Sequence, residues 1–187
     1  MTTATEWGED HFIAGHLALD FANTVYRRWP ETGADLFTDT DALAAWFARA
    51  GVLPDNSARA RVTETTLTEA RTLRALLWTV LDVHRDGRRP LPTDAFAGLL
   101  DTARHSVTDL TLRPDGSTSA HTPRGALAVV TLAGIMLVLN PPPRGVRACD
   151  RCGWFFIDSS RGRRRRWCSM KTCGNQAKVA RHRSARP

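Results

Sequence analysis

The chain has 187 residues, 42% hydrophobic and 24% charged, values near the averages for soluble globular proteins, which excludes wholesale disorder. Its length suits one main core plus a compact appendage. The most apolar stretch, 126–139, is too short to span a bilayer, and the opening MTTATEWGEDHF lacks a basic region followed by an apolar one, so a cytoplasmic protein with no membrane contact is expected.

Residues 17–25, with Leu17, Leu19, Phe21, Ala22 and Val25, form an apolar-rich segment expected to be a short helix before the loop Arg28-Trp29-Pro30-Glu31-Thr32-Gly33. A second helix fits 40–50, with Thr38 or Asp39 as N-cap, Leu43, Trp46 and Phe47 on one face, and Gly51 just past the end. Leu73, Leu76, Leu77, Val80, Leu81 and His84 repeat at helical spacing and predict a long helix over 57–85, closed by Gly87. Thr93 would cap a helix over 94–105 that turns Phe96, Leu99 and Leu100 inward. Residues 107–121 read as a β-hairpin around Pro114-Asp115-Gly116, and 124–139 as a nearly all-apolar helix. Pro141-Pro142-Pro143 stops that helix and makes a stiff joint, taken as the boundary between a domain at 1–143 and a second at 144–187. The predicted fold class is therefore a mainly α N-terminal domain with a small β-hairpin, followed by a small α+β module.

The net charge of +7 divides unevenly across that joint. Residues 144–187 carry 13 Lys+Arg against only Asp150 and Asp158, a balance of +11, which leaves −4 for residues 1–143. Lys171 and Lys178 are the only lysines, and GC-rich coding alone can favour arginine in this way.

All four cysteines lie in this basic segment, as Cys149-x2-Cys152, a gap of fifteen residues, then Cys168-x4-Cys173. Cytosolic disulfides are rare, and two close cysteine pairs at such a separation suit a tetrahedral thiolate site for Zn²⁺. Gly153 would relieve the turn of a knuckle formed by Cys149 and Cys152. Trp154 to Ile157 is expected as a strand, residues 163–167 as the returning strand that delivers Cys168, and 174–183 as a final helix near Cys173. So small a module cannot bury enough surface unaided, so Trp154, Phe156 and Trp167 would make only a satellite core and one structural Zn²⁺ would supply much of the folding energy. Thiolates fill all four positions, leaving no open site for an activated water. His182 is a spare ligand candidate or, alternatively, a solvated histidine.

Arg161, Arg163, Arg164, Arg165 and Arg166 crowd the turn and second strand, and Lys171, Lys178, Arg181, Arg183 and Arg186 continue the charge. A solvated arginine-rich face is the bland alternative, but charges this dense repel one another and favour a partner that neutralises them, nucleic acid above all. Neutralising some six phosphates would make affinity fall by about 10³-fold or more between about 50 and 200 mM salt. Asn175 and Gln176 carry the paired donors and acceptors that address adenine, or else serve as caps or exposed polar groups.

With Cys149-x2-Cys152-Gly-Trp-Phe-Phe-Ile-Asp158, Arg165-Arg166-Trp167-Cys168-Ser169-Met170 and Cys173-Gly174-Asn175, the segment 145–183 resembles the bacterial CGNR zinc-finger family. Leu19-Asp20-Phe21-Ala22-Asn23-Thr24 is similar to the opening motif of the ABATE-type domain that precedes this finger in stress-induced transcriptional regulators. The resemblance implies a mostly helical first domain and a DNA-binding finger, and the order knuckle, hairpin, helix read above is like that of treble-clef zinc modules. The family motif ends in arginine where this chain has Gln176, which removes a charge at the helix start.

Asp20 and Asn23 lie three apart on an apolar helix and need buried partners, in a structural hydrogen-bond network or in an effector pocket. The function expected is a DNA-binding transcription regulator whose acidic helical domain senses an effector or forms a homodimer, working at the nucleoid. An RNA-binding stress protein would use the same arginines with Trp154 or Trp167 as a stacking platform. A redox-sensing interaction module would lose zinc on thiolate oxidation. The scattered histidines and the lack of a Gly-rich phosphate loop argue against an enzyme.

Overall fold

In the computed structural model, which describes residues 5–54, 62–86, 90–162 and 164–184, the main body is helical with a small hairpin, and two further short strands carry the cysteine knuckle. The helices are α1 (Leu17–Ala22), α2 (Thr40–Arg49), α3 (Glu64–Asp86), α4 (Thr93–Ser106) and α5 (Pro123–Leu139), with α6 (Asn175–Ser184) after the cysteines. Strands β1 (Leu110–Leu112) and β2 (Thr118–Ala120) pair antiparallel with Leu110 opposite Ala120, and β3 (Arg147–Ala148) pairs antiparallel with β4 (Phe155–Phe156). No helix among the described residues is long and apolar enough to cross a membrane.

The caps explain several boundaries. Asp39 accepts the Ala42 N–H at 2.8 Å to start α2, and Gly51 ends it with a left-handed φ of 71°. Helix α3 starts at Glu64, where the Thr63 hydroxyl accepts the Thr66 N–H, and residues 57–61 of the predicted span lie outside the described residues. Ser57, the His84 side chain and Gly87 lie outside the described residues. Thr93 falls inside α4, with Pro92 at the cap position, and Leu100 is 49% exposed instead of facing inward. Val107 begins a 3-10 turn, so the hairpin ladder is shorter than the alternation suggested.

Helix α5 is the hub, packing on α1, α3, α4 and β2. Its approach to α3 is close enough that a Cβ at Gly134 would stand 2.6 Å from a Leu77 methyl. Phe21, Phe37 and Trp46, all fully buried, meet edge to face or tilted at centroid separations of 5.1 to 6.2 Å. A bidentate pair joins α3 to the loop after α1, with the buried Arg74 held to Asp35 at 2.7 and 2.6 Å.

The cysteine segment does not keep a satellite core of its own. Trp154, Phe155 and Phe156 join the main hydrophobic cluster, and burying the two phenylalanines contributes about 1.5–3 kcal/mol each. Asn23 fixes the contact by donating to the Phe155 carbonyl at 2.9 Å and accepting the Phe155 N–H at 2.8 Å. The Trp154 indole donates to the Val25 carbonyl, and the Ile157 N–H to the Ala14 carbonyl. Arg28 lies 4.0 Å over the Phe155 ring and 5.0 Å from the Trp78 ring while pairing with Asp82 at 2.7 Å, which ties α3 to the same spot.

Candidate metal centre and basic face

The knuckle forms in the turn between β3 and β4. The Gly153 N–H donates to the Cys149 carbonyl at 2.9 Å, and Gly153 takes a φ of 76° that disfavours a side chain. A Cβ there would also lie 3.0–3.1 Å from Arg28 Cβ, Trp29 Cβ and Trp29 N, so glycine serves a close approach as well as a turn. The loop is pinned by the Arg28 and Trp29 N–H groups, which both donate to the Cys152 carbonyl, at 2.6 and 3.2 Å.

Residues 164–167 do not return as a strand; β4 takes Arg147–Ala148 as its partner instead. The return is held from the side. Asp158, whose side chain is 1% exposed, accepts the Ser160 hydroxyl at 2.6 Å and the Arg165 N–H at 2.9 Å, and lies 3.5 Å from Arg147. The Ser160 hydroxyl, with these further donors, keeps its carboxyl below the usual carboxylate range. The Asp150 N–H donates to the Arg166 carbonyl, bringing Cys168 beside the knuckle. A π-helical turn, Met170–Gly174, then supplies Cys173, its start capped by the Ser169 hydroxyl.

The four sulfurs lie within 4.8 Å of one another, with Cys152 to Cys168 at 3.6 Å and Cys168 to Cys173 at 3.7 Å. Tetrahedral zinc with sulfurs at about 2.3 Å requires sulfur–sulfur edges of about 3.8 Å. A disulfide would need about 2.05 Å, and all four cysteines are free. Hydrogen bonds from Cys152, Cys168 and Cys173 hold the Cys149 thiol far below its ordinary range, and that sharing, with Cys149 foremost, pushes Cys152 and Cys168 upward. The Cys173 thiol is lowered as well, so the cluster splits into two sulfurs that favour the thiolate and two that resist it, and a divalent cation is what permits four thiolates together. The residues fit one structural zinc, held by Cys149, Cys152, Cys168 and Cys173.

The basic residues divide into two groups. Arg165 is spent inside the fold: its Nε donates to the Trp167 carbonyl at 2.7 Å and its guanidinium lies 4.7 Å over Phe156. Arg166 pairs with Asp150 at 2.7 Å and lies 5.4 Å over Trp167. Arg161, Arg164, Lys171, Lys178, Arg181 and Arg183 are exposed and make no ion pair among the described residues. Arg163 and Arg186 lie outside the described residues. Helix α6 buries none of its residues, so it is held at its start and offers its whole length to solvent.

Asn175 donates to the Lys171 carbonyl, and the Gln176 side-chain Oε1 accepts from Arg151 Nε at 2.8 Å. His182 is exposed and stands outside the sulfur cluster. Trp154 is 9% exposed with its indole N–H bonded, which removes it as a stacking platform; Trp167 is half-buried. Asp20 and Asn23 are buried within the fold, where Asp20 accepts the Ala14 N–H and Asn23 uses both ends of its amide on Phe155. Neither lines the cavity of about 400 Å³ that lies between His11, Tyr26 and Trp29 on the body and Cys152 and Gln176 on the metal segment. Trp29, read from the sequence only as part of a loop, is 61% exposed beside the knuckle. Its contact with Cys152 spans most of the chain, and nothing local in the sequence signals it.

A helical body joined to a four-cysteine knuckle with an exposed basic helix defines a zinc-finger protein. The chain belongs to the ABATE family, described as "Putative stress-induced transcription regulator", which matches residues 15–141. Residues 146–186 match the CGNR zinc finger. None of the curated proteins matches this chain.

Proposed function

We propose that this zinc-finger protein is a DNA-binding transcription regulator acting at the nucleoid, with zinc shaping the finger and the exposed cations neutralising phosphates. The observation that carries this reading is the sorting of charge around the metal. Arg165 and Arg166 are consumed by Trp167, Phe156 and Asp150, whereas Arg161, Arg164, Lys171, Lys178, Arg181 and Arg183 stay in water, the last three on a helix that buries none of its residues. Cations in the last turn of α6 also suit the helix dipole, but that accounts for only about 0.3–1 kcal/mol each and only for Arg181, His182 and Arg183. Asn175 and Gln176 open α6 with amides that can address base edges, Gln176 doing so on release of Arg151.

The division at 143 gives the helical body the regulatory half of the task. An effector would enter the cavity at the junction of body and knuckle, which Asp20 and Asn23 do not line; Asp20 Oδ1 already accepts the Ala14 N–H, and the Asn23 amide is used at both ends on Phe155. Anisotropy titration of the zinc-loaded chain on duplex DNA across a salt series tests the reading. Six phosphate contacts give a log–log salt slope of about −5. Alanine at Arg164, Lys178 and Arg181 together flattens it; a slope near zero, or one unchanged by the triple variant, contradicts DNA binding through this face. Competition with single-stranded RNA at matched salt separates a DNA regulator from an RNA-binding protein.

A further inference from the structure

Trp29 is the largest apolar side chain the described surface leaves mostly in water, at 61% exposure, with Tyr26, three positions before it, at 66%. It is not loose. The Arg28 and Trp29 N–H groups both donate to the Cys152 carbonyl, and the absence of a side chain at Gly153 lets the loop lie against the knuckle. This places an indole from the body at the edge of the basic metal segment.

On that edge a groove of about 440 Å³ runs between Trp29 and Trp167, floored by Ala177 and Ala180. Arg151, Arg166 and Arg181 line it against one carboxylate, Asp150, which Arg166 already neutralises. Trp29 offers an open planar apolar face, Trp167 with Arg166 over its ring forms the opposite wall, small alanines leave room between them, and the surplus of guanidinium charge selects an anionic partner. A nucleotide with its base out of the stack supplies both a planar face and a phosphate, whereas a paired base within a duplex hides its faces.

We propose that the groove between Trp29 and Trp167 seats one unpaired nucleobase of bound DNA, stacked on Trp29 with its phosphate beside Arg151 and Arg181. The seat rests on the DNA-binding reading above and adds to it a preference for a bulged or opened site. It also recruits the helical body directly into recognition, because the platform belongs to residues 28–30 and not to the finger.

The test uses the full zinc-loaded chain and two labelled duplexes of matched length, one fully paired and one with a single unpaired thymine. The wild type should favour the bulged duplex by about tenfold. Trp29→Ala should abolish that preference while leaving paired-duplex affinity and salt slope unchanged, and Trp29→Phe should keep most of it. Because Trp29 is mostly exposed, zinc content and melting temperature should match the wild type in both variants. Equal wild-type affinity for the two duplexes, or a preference that survives Trp29→Ala, overturns the base seat while a steep salt slope leaves DNA binding standing. Salt-independent, negligible binding to both probes defeats the two readings together.

Discussion

Residues 146–158 and 159–184 belong to one zinc segment yet behave oppositely. The first stretch is knitted into the helical body through Phe155 to Asn23, Trp154 to Val25 and Ile157 to Ala14, with its aromatic side chains in the main core. The second is mostly exposed, strongly basic, and ends in a helix that buries nothing. Zinc straddles the divide, taking Cys149 and Cys152 from the anchored half and Cys168 and Cys173 from the exposed one. The contrast teaches that the metal here is a joint: it ties a basic arm to a platform that the body already holds.

The largest effect should come from cutting that joint. Cys168→Ser, or chelation, should lower DNA affinity by about 100-fold or more as the arm loses its shape. Far-UV circular dichroism should fall only by the share of α6, since α1 to α5 have their own core. A collapse of the whole helical signal would break the comparison.

Damage to the anchored half should instead be read in stability. Asn23→Leu strands the buried Phe155 N–H and carbonyl and should cost about 2–4 kcal/mol in chemical denaturation. Zinc-loaded protein that does melt normally with this change would show that the anchor is dispensable. Gly153→Ala places a Cβ at φ 76° against the Trp29 loop and should cost about 1–3 kcal/mol, with weaker zinc retention in a competition with a chromogenic chelator.

Two neighbouring arginines sharpen the contrast. Arg165→Ala should lower stability by about 1–2 kcal/mol, because it removes the bond to the Trp167 carbonyl and the contact with Phe156. Arg164→Ala should leave melting unchanged and reduce the magnitude of the salt slope of DNA binding by about one. The reverse pattern would mean that the charges were sorted wrongly.

A pH dependence belongs to the body. Burial raises the Asp20 carboxyl from 3.8 to about 6, against the Ala14 N–H, which lowers it. Between those values the native state keeps a proton that the unfolded chain has released, so Asp20 costs stability as pH rises through the window. Asp20→Asn should therefore stabilise the protein relative to wild type by about 1–3 kcal/mol near pH 7.5, and this advantage should shrink near pH 4.5. An advantage that does not vary with pH would show that Asp20 carries no such charge penalty.

What the sequence made legible was local. The cysteine spacing identified the metal site because each pair lies within a few residues, and a helix cap such as Asp39 lies beside the residue it serves. Relations across the chain stayed hidden. The two-residue partner of β4 has no alternation to announce it, so residues 163–167 looked the better strand. The arginines looked alike because their fates depend on Asp150, Asp158 and Phe156, which only folding brings near. The satellite core failed for the same reason: Asn23 and Val25, far away in sequence, supply the partners of Phe155 and Trp154.

Amide hydrogen exchange with and without zinc tests the joint most directly. The account predicts that stripping zinc releases protection through 164–184 while the amides of Phe155 and Ile157, bonded to Asn23 and Ala14, keep most of theirs. Equal loss in both stretches, or unchanged protection in α6, would contradict it.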